Sequence, residues 1–262
     1  MRAINAHAQS MRRPPAHLMS SVTSGSQEAA GCKPDAIEAQ LLYFQLLMIR
    51  PFANRREAGV ELASKLRQYA GRNDVVVLAL PRGGVPVAFE VAEALDAPLD
   101  IFLVRKLGLP GHPELAMGAI ASGGVRVMND DVVRWYDIPD RAIEAVARTE
   151  QAELERRELE YRQGRSLLDL HDKTVILVDD GLATGSTMKA AVQAVRRHAP
   201  SRVIVAVPVG SLASCEELAE IADETMCARI PEAFSAVGQW YYDFSQTTDQ
   251  EVRQMLEEHA KA

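Results

Sequence analysis

Residues 175–188 read VILVDDGLATGSTM and contain the pattern that decides the fold. The apolar run at 175–178 predicts a buried strand, which ends in two adjacent carboxylates, Asp179 and Asp180. A loop of small residues follows, and Ser186 begins a segment with apolar residues at helical spacing. A strand, a small-residue loop and a helix in this order are typical of α/β proteins, which bind ligands where their parallel strands end.

The same alternation of strand and helix extends through most of the chain. Short apolar runs predict strands at 75–80, 99–104, 174–178, 202–208 and 225–230. Apolar residues at helical spacing predict helices at 57–69, 85–95, 187–198 and 211–222. Strands that alternate with helices form a parallel sheet covered on both faces. We therefore predict an α/β fold in which every unusual loop follows a strand.

The chain divides near residue 48. Residues 1–47 contain several serines and arginines, which predicts a flexible N-terminal extension, although the composition also resembles that of a transit peptide. The apolar run at 41–49 is shorter than the roughly 20 residues that a membrane helix needs. Residues 48–262 form the predicted domain, and within it residues 139–165, rich in Glu, Arg and Ala, predict an inserted helical segment.

Composition narrows the class of protein. With 262 residues, 47% of them hydrophobic, the chain can bury the core of one sizeable α/β domain or of two small ones. A net charge of −7 disfavours nucleic-acid binding by counterion release and favours a small ligand. Cys32, Cys215 and Cys227 lack CxxC spacing, so we predict neither a disulfide nor a zinc site, and a cytoplasmic location. No membrane partner is predicted, and a homo-oligomer is left open.

The loop after the two aspartates suits a phosphate group. Gly181, Ala183 and Gly185 leave backbone N–H groups accessible to an anion, and a helix N-terminus attracts negative charge. The carboxylates repel a phosphate but accept hydrogen bonds from the hydroxyl groups of a sugar. The stretch therefore predicts a ligand with a diol at one side and a phosphate at the other, such as a ribose 5-phosphate.

Two other phosphate-binding motifs are excluded by their residues. A Walker P-loop needs a lysine after its second glycine, whereas Ser186 follows Gly185, and the GxGxxG fingerprint of dinucleotide-binding proteins is absent. In the remaining alternative, the acids and small residues form a strand-to-helix turn without a ligand.

A second loop combines a cation with two glycines. Residues 80–88, LPRGGVPVA, place Arg82 directly before Gly83 and Gly84 at the end of a predicted strand. A guanidinium group and exposed backbone amides together suit a second anion. The alternative is a Gly-Gly turn with an arginine on the surface.

A third loop begins with Arg105 and Lys106, which can neutralise a departing anion. Residues 108–113 contain two glycines and two prolines, which disfavour regular structure and favour a mobile lid. His112 and Glu114 lie on this predicted lid, and His112 is a candidate proton donor. In the alternative, His112 is only a solvated loop residue.

The stretch VILVDDGLATGSTM resembles the 5-phosphoribosyl 1-pyrophosphate (PRPP) motif of the type I phosphoribosyltransferases. The resemblance covers residues 74–230, with 139–165 as an insertion. It implies a five-stranded parallel core, a mobile catalytic loop and a small hood over the base site. Residues 231–262 are the candidate for this hood, or for a C-terminal helix. It also implies Mg²⁺ held mainly through PRPP, with no direct protein ligand.

The resemblance assigns roles to the residues that match the family's motifs. It implies that the ribose hydroxyls are held by Asp179 and Asp180. The 5-phosphate is expected to contact Ala183, Thr184, Gly185, Ser186 and Thr187. Pyrophosphate is expected to contact Arg82, Gly83 and Gly84, with a cis peptide bond between Pro81 and Arg82. The expected catalytic residues are Arg105, Lys106, His112 and Glu114.

The resemblance does not identify the acceptor. Ala183 stands where hypoxanthine and guanine enzymes of the family carry an acid, and PRGG differs from the pyrophosphate loop of the adenine enzymes. Phe234, Trp240 and Tyr241 are candidates for stacking on a base, or for packing in the core or at an interface. The layout as a whole resembles a bacterial group of phosphoribosyltransferases with an undefined acceptor.

Three functions follow from these motifs. The first is Mg²⁺-dependent transfer of a 5-phosphoribosyl group from PRPP to a nitrogenous base or related acceptor, which the two anion loops and the cationic lid favour. The second is a regulator that senses PRPP or nucleotides and binds RNA or protein, to which the net charge of −7 gives little support. The third is hydrolysis of a phosphorylated sugar or nucleotide at the same site.

Overall fold

The computed structural model describes residues 50–261, so the extension predicted at 1–47 lies outside the described residues. In chain order the helices and strands are α1 (Arg55–Lys65), β1 (Val75–Ala79), α2 (Gly84–Leu95), β2 (Leu99–Ile101), β3 (Val104–Leu109), β4 (His112–Ala121), β5 (Val125–Met128), α3 (Asp130–Trp135), α4 (Asp140–Arg162), β6 (Thr174–Val178), α5 (Ser186–Arg196), β7 (Arg202–Val209), α6 (Leu212–Ala219), β8 (Glu224–Arg229) and α7 (Asp249–His259).

Five parallel strands form the central sheet in the order β2–β1–β6–β7–β8. Val77 of β1 pairs with Leu99 of β2 on one side and with Ile176 of β6 on the other. In chain order, β2 is added on one side of β1, whereas β6, β7 and β8 are added on the other side. The connections between strands therefore diverge at the position between β1 and β6. Ligands of open α/β sheets bind at this point, beyond the carboxyl ends of the strands. The predicted α/β fold with a parallel sheet is confirmed.

The hydrophobic core lies on both faces of this sheet because successive residues of a strand point to opposite sides. Every residue of β1 and β6 is buried. Val77 and Ile176 pack on the face covered by α1, α2 and α7, whereas Leu78 and Leu177 pack on the face covered by α5 and α6. Burial on both faces explains why these strands are continuous apolar runs without polar alternation.

The region predicted as a mobile lid forms a regular antiparallel sheet, in the order β3–β4–β5. The predicted strand 99–104 is interrupted after Ile101, and β3 starts afresh at Val104. Leu109 pairs with His112 across a turn in which Gly111 has a φ of 84°. The prediction of irregular structure at 108–113 was wrong. The pairing of β3 with β4 continues to Leu109, because shifts of register on either side of Gly108 preserve it.

The long helix α4 occupies most of the segment predicted as a helical insertion. It is less solvated than its charge suggests, because Ile143, Leu154 and Tyr161 are buried. Arg162 at its end donates a hydrogen bond from Nε to Oδ1 of Asp100 over 3.0 Å and another to the carbonyl of Ile101 over 2.6 Å.

No helix within residues 50–261 combines the length and apolar character that crossing a membrane requires.

A disulfide bond joins Cys215 on α6 to Cys227 on β8, contrary to the prediction from cysteine spacing. The two residues lie 12 positions apart in the sequence, with no motif that signals a pair. They meet because α6 follows β7 and packs back beside β8, the neighbouring strand of β7. The tertiary packing of a crossover helix, rather than a local pattern, brings the sulfurs together.

Reduction of this disulfide is expected to destabilise the fold. Closing a loop of this length in the unfolded chain contributes about 2–4 kcal/mol to the free energy of unfolding. Thermal unfolding of the wild type should therefore shift to lower temperature when a dithiol reductant is added, and Cys215→Ser should unfold at the lower temperature with or without reductant. Cys32→Ser is the control, and a wild-type midpoint that ignores the reductant would contradict the prediction.

Candidate functional site

The two aspartates lie where three strand ends meet. Asp179 and Asp180 directly follow β6, which lies between β1 and β7 in the sheet. The loop after β1 is held beside them by the amide of Leu80, which donates to the carbonyl of Val178 over 2.9 Å. The loop after β6 is held to the end of β7, because the amide of Leu182 donates to the carbonyl of Val209 over 2.9 Å. The first and second predicted anion loops are therefore neighbours in space.

Gly83 and Gly84 allow the loop after β1 to approach the aspartates. A Cβ at Gly84 would lie 2.7 Å from the carbonyl oxygen of Val178, and a Cβ at Gly83 would overlap Oδ2 of Asp180. Real Cβ atoms do not tolerate such contacts, so only glycine permits this approach. The peptide bond between Pro81 and Arg82 is cis, as the resemblance implies.

Burial makes the two carboxylates difficult to ionise. It raises the pKa of Asp179 well above its ordinary value, and the adjacent charge of Asp180 raises it further. Burial also raises the pKa of Asp180, but the guanidinium of Arg55 opposes this shift. The amide of Asp180 donates to Oδ1 of Asp179 over 2.8 Å, which orients that side chain. A buried pair of this kind is suited to accept hydrogen bonds from hydroxyl groups and not to bind an anion.

Arg55 is a site residue that the sequence analysis missed. Its Nε donates to Oδ2 of Asp180 over 2.8 Å, and its Nη1 donates to the carbonyl of Ser245 over 2.7 Å. In the sequence, NRREAG predicts only the start of a helix, because Asn54 is a good N-cap residue and arginines at this position are usually solvated. No local signal distinguishes Arg55 from its neighbour Arg56, which pairs with Glu90 instead.

The predicted phosphate loop has a geometry that exposes its backbone. Gly185 adopts the left-handed conformation, with a φ of 65°, directly before α5 begins at Ser186. The hydroxyls of Thr184 and Ser186 lie 3.1 Å apart. Below the loop, the carbonyl of Ala183 accepts a hydrogen bond of 2.6 Å from the hydroxyl of Ser214 on α6. Thr187 follows Ser186 in the first turn of α5, so the five residues predicted to bind the 5-phosphate form one continuous turn at a helix N-terminus.

Arg82, predicted to bind pyrophosphate, lies on the loop beside Asp180 but is paired elsewhere. Its Nη1 is 3.7 Å from Oδ2 of Asp249, at the start of α7. The same carboxylate accepts a hydrogen bond from the hydroxyl of Tyr161 on α4. An anion bound at the loop would compete with Asp249 for the guanidinium group.

The four residues predicted as catalytic are spread over the antiparallel sheet. Arg105 and Lys106 are consecutive on β3 and point to opposite faces. Arg105 Nε lies 2.5 Å from Oε2 of Glu150 on α4. His112 is exposed at the start of β4, and the side chain of Glu114 lies outside the described part of the structure. Within the part of the chain that the structure describes, Arg105, Lys106 and His112 form no hydrogen bond or ion pair with Asp179 or Asp180.

A cavity of about 700 Å³ connects one of these residues to the phosphate loop. It lies between the antiparallel sheet and α5, and its lining includes Lys106, Arg134, Ser186 and Lys189. The structure thus brings Lys106 and Ser186 to a shared space, although they are 80 positions apart in the numbering. The cavity leaves room beside the start of α5 for a polar group.

The aromatic residues after β8 mainly pack together. Tyr241 is only 5% exposed, and its ring centroid lies 5.5 Å from that of Phe52 and 5.1 Å from that of Phe244. Its hydroxyl donates to the carbonyl of Asp180 over 2.6 Å, so the structure corrects the expectation that Tyr241 stacks on a base. Phe234 and Trp240 are partly buried against the same cluster, and their stacking on a base stays a prediction.

The donor set fits a divalent metal that arrives with its ligand. Among residues 50–261, no group of three or more His, Cys, Asp or Glu side chains could hold a metal ion. Mg²⁺ is commonly bound by substrate phosphates and water with few protein ligands. The residues described are therefore compatible with Mg²⁺ that is held mainly through a pyrophosphate.

Comparison with known proteins identifies relatives over most of the described chain. A family model described as "Phosphoribosyl transferase domain" matches residues 52–245. Two Mycobacterium tuberculosis proteins, from strains CDC 1551 and H37Rv, are named as phosphoribosyl transferases and are each 50% identical over 206 residues. The match covers 79% of this chain and 46% of theirs, so the chain spans about half the length of these curated relatives.

A solved structure is also similar in sequence and fold. The crystal structure of TT1426 from Thermus thermophilus is 42% identical to this chain, with a TM-score of 0.72. The match covers 79% of this chain and 98% of that protein. The likeness therefore covers most of this chain in both sequence and fold.

Proposed function

Because the chain belongs to the phosphoribosyl transferase domain family, we propose that it transfers the 5-phosphoribosyl group of PRPP to a nitrogenous acceptor and releases pyrophosphate. The observation that carries this proposal is the contact between the two anion loops. Gly83 and Gly84 pack directly on Asp180 and Val178, so the two loops together suit a ligand with a phosphate at each end and a diol between them. PRPP has this arrangement of groups.

The two loops divide the ligand between them. We assign the ribose hydroxyls to Asp179 and Asp180, whose carboxylates accept hydrogen bonds but repel phosphate. The 5-phosphate is assigned to residues 183–187, where the left-handed Gly185 exposes amides at the start of α5. Pyrophosphate is assigned to Arg82, Gly83 and Gly84. Contacts to the phosphate at each end of the ligand and to the diol between them then fix the position of the anomeric carbon.

The reaction needs positioning and charge stabilisation more than a protein nucleophile. The bond between C1 of the ribose and the pyrophosphate oxygen breaks with its electron pair on the leaving group, and a nitrogen lone pair of the acceptor forms the new bond to C1. Positive charge at C1 is stabilised by nearby carboxylates, and growing negative charge on the leaving group by Arg82 and the loop amides. Mg²⁺, when bound with PRPP, adds further charge stabilisation.

Residues of the antiparallel sheet complete the proposal. Arg105 and Lys106 are proposed to contact the departing pyrophosphate after the hairpin that carries them, with His112 and Glu114, has rearranged, because their side chains point to opposite faces of β3 in the structure. Since Arg105 is paired with Glu150, this role requires the hairpin to move relative to α4. Such closure would also exclude water from the anomeric carbon, which favours transfer over hydrolysis. Phe234 and Trp240 are proposed as the aromatic surface nearest the acceptor.

Calorimetric titration with PRPP and Mg²⁺, followed by an assay of pyrophosphate release with a panel of nitrogenous bases, tests the function. Binding followed by base-dependent release would support a transferase and identify its acceptor. Binding without release would favour the regulator, and release of pyrophosphate or phosphate without a base would favour the hydrolase. Failure to bind PRPP would refute the proposal.

Arg82→Ala is expected to weaken binding of pyrophosphate more than binding of ribose 5-phosphate. Loss of a charge-assisted contact to an anion costs about 1.5–3 kcal/mol, or about 10–150-fold in affinity, and ribose 5-phosphate lacks the group that Arg82 would contact. Calorimetry with each ligand measures the difference. Arg67→Ala, which removes an exposed arginine on the segment between α1 and β1, is the control. Equal losses for the two ligands would refute the placement of Arg82.

A further inference from the structure

Arg55 makes three contacts that tie the site to the C-terminal part of the chain. Its Nε donates to Oδ2 of Asp180 over 2.8 Å, and its Nη1 donates to the carbonyl of Ser245 over 2.7 Å. The centre of its guanidinium group lies 4.0 Å from the ring centroid of Phe244. Because the guanidinium is planar and held on three sides, it presents its proton to Asp180 in one fixed direction.

The ion pair is largely removed from water. The side chains of Arg55 and Asp180 are 11% and 15% exposed. A pair with this burial is screened less by solvent than a surface pair. Removing one partner leaves the other as an uncompensated charge, which is costly in this environment. The ion pair between Arg55 and Asp180 is therefore stronger than a surface ion pair, and loss of either residue has a larger effect.

Asp180 is held at a second point by the same C-terminal segment. The hydroxyl of Tyr241 donates to the backbone carbonyl of Asp180 over 2.6 Å. Arg55 binds the carboxylate and Tyr241 binds the backbone of the same residue, so both the side chain and the main chain of Asp180 are oriented. Among the residues that the structure describes, no cation is paired with Asp179, and Arg55 acts on it only at longer range.

We propose that Arg55 is a positioning residue of the ribose site, which keeps the Asp180 carboxylate ionised and oriented so that a ribose hydroxyl can donate a hydrogen bond to it. This inference rests on the proposed function and deepens it. One oxygen of the carboxylate is occupied by Arg55, and the other oxygen and the remaining lone pairs accept the hydroxyl. The ligand does not need to displace Arg55.

The charged groups around Asp180 give the proposal a pH signature. Asp179, directly after β6, faces it with a like charge, and Arg55 on α1 faces it with the opposite charge. Tyr241 contacts its carbonyl as a neutral hydroxyl, because burial raises the pKa of Tyr241. On the loop after β1, the charge of Arg82 is directed to Asp249. Arg55 is thus the cation that lowers the pKa of Asp180 against the effect of burial.

Arg55→Gln should shift the pH dependence of ribose 5-phosphate binding. Loss of an adjacent opposite charge raises a carboxyl pKa by about one unit or more. The acidic limb of the affinity profile, measured by calorimetry from about pH 5.5 to about pH 8.5, should then move to higher pH by about one unit, with about a tenfold additional loss at the acidic end. Ribose 5-phosphate is the probe because it carries the diol and the phosphate without pyrophosphate.

Two matched variants separate charge from structure. Arg55→Lys keeps the charge but cannot hold Asp180 and Ser245 together, so its acidic limb should stay where the wild type has it while the affinity falls at every pH. Arg56→Gln removes the neighbouring arginine, which pairs with Glu90, and should leave the profile unchanged. A profile of Arg55→Gln that matches the wild type, or a uniform loss at every pH, would overturn the proposal.

NMR titration of ¹³C-labelled aspartate carboxyls in the ligand-free protein supplies a readout that needs no ligand. In Arg55→Gln the Asp180 carboxyl should titrate at higher pH than in the wild type, and an unchanged titration would overturn the proposal. If the wild type bound neither PRPP nor ribose 5-phosphate, the proposed function would fail and with it the role of Arg55 at a ribose. The titration would still decide whether Arg55 sets the ionisation of Asp180.

Discussion

The double substitution of Asp179→Asn and Asp180→Asn is expected to abolish binding of PRPP and of ribose 5-phosphate. Each carboxylate that accepts a hydrogen bond from a hydroxyl contributes about 1.5–3 kcal/mol, so loss of both should weaken binding by at least about 100-fold. An amide has one acceptor oxygen in place of two, and its NH₂ group meets the hydroxyl as a second donor. Calorimetric titration of each ligand measures the loss.

The chain supplies its own control for this experiment. Asp169 and Asp172 are both exposed, and they lie on the segment before β6 instead of at its carboxyl end. The double substitution of Asp169→Asn and Asp172→Asn changes the net charge by the same amount and should leave binding within a few-fold of the wild type. Equal losses in the two double variants would show that overall charge, and not the pair at β6, controls binding.

The Asp179→Asn and Asp180→Asn variant should lose binding without losing its fold. The pKa of Asp179 is raised in the folded protein, so its contribution to stability is present below the ordinary aspartate pKa of about 3.9 and is lost as the pH rises through the folded value. At neutral pH this buried carboxylate does not stabilise the fold, and an asparagine removes its charge. Loss of Asp180 leaves the buried guanidinium of Arg55 without its partner, which lowers the unfolding midpoint. Denaturant unfolding at neutral pH should still show a cooperative transition from a folded state.

The second large effect is expected for Gly84→Ala. The added Cβ would lie 2.7 Å from the carbonyl oxygen of Val178 and 3.0 Å from Cα of Asp179. Both are backbone atoms at the carboxyl end of β6, so the loop after β1 must move away, at a cost of about 1–3 kcal/mol in the free energy of unfolding. The displacement should weaken pyrophosphate and ribose 5-phosphate binding together, since it separates the two anion loops.

Gly71→Ala distinguishes loss of stability from loss of the site. A Cβ at Gly71 meets no atom within 4 Å, but its φ of 68° is unfavourable for alanine. This variant should lose stability and keep its affinity for both ligands, whereas Gly84→Ala should lose both. Urea unfolding and calorimetry of the two variants make the comparison. Wild-type affinity in folded Gly84→Ala would contradict the contact between the loops.

The site depends on local sequence patterns and on contacts between residues that are distant in the sequence. Asp179 and Asp180 were identified from their position after an apolar run, which is a local pattern. Gly84 was identified as a residue that frees backbone amides, but its close packing on Val178 is a contact across 94 positions of the numbering. Two adjacent glycines after a strand predict an anion loop. Neither glycine tolerates a side chain because β1 lies beside β6 in the sheet, which brings Asp180 and Val178 against the loop.

The hairpin of β3 and β4 illustrates where local rules fail. Glycine and proline at 108–113 disfavour regular structure in isolation, which predicts a lid. In the folded chain, pairing with β4 satisfies the backbone of β3, and the burial of Leu107 and Leu109 anchors it, so these contacts outweigh the local preference. The prediction for Cys215 and Cys227 failed for the same reason, since their spacing has no meaning until α6 packs beside β8.

The sequence by itself determined the parallel α/β sheet, the position of the aspartate pair and the small-residue loop that follows it. These features depend on residues within one strand, loop and helix turn, where periodicity and side-chain size act directly. The tertiary structure decided the ion pair between Arg55 and Asp180, the burial of Tyr241, the disulfide and the regular hairpin. Arg55 and Asp180 are separated by 125 positions, and burial and charge act on them only after the sheet has brought them together.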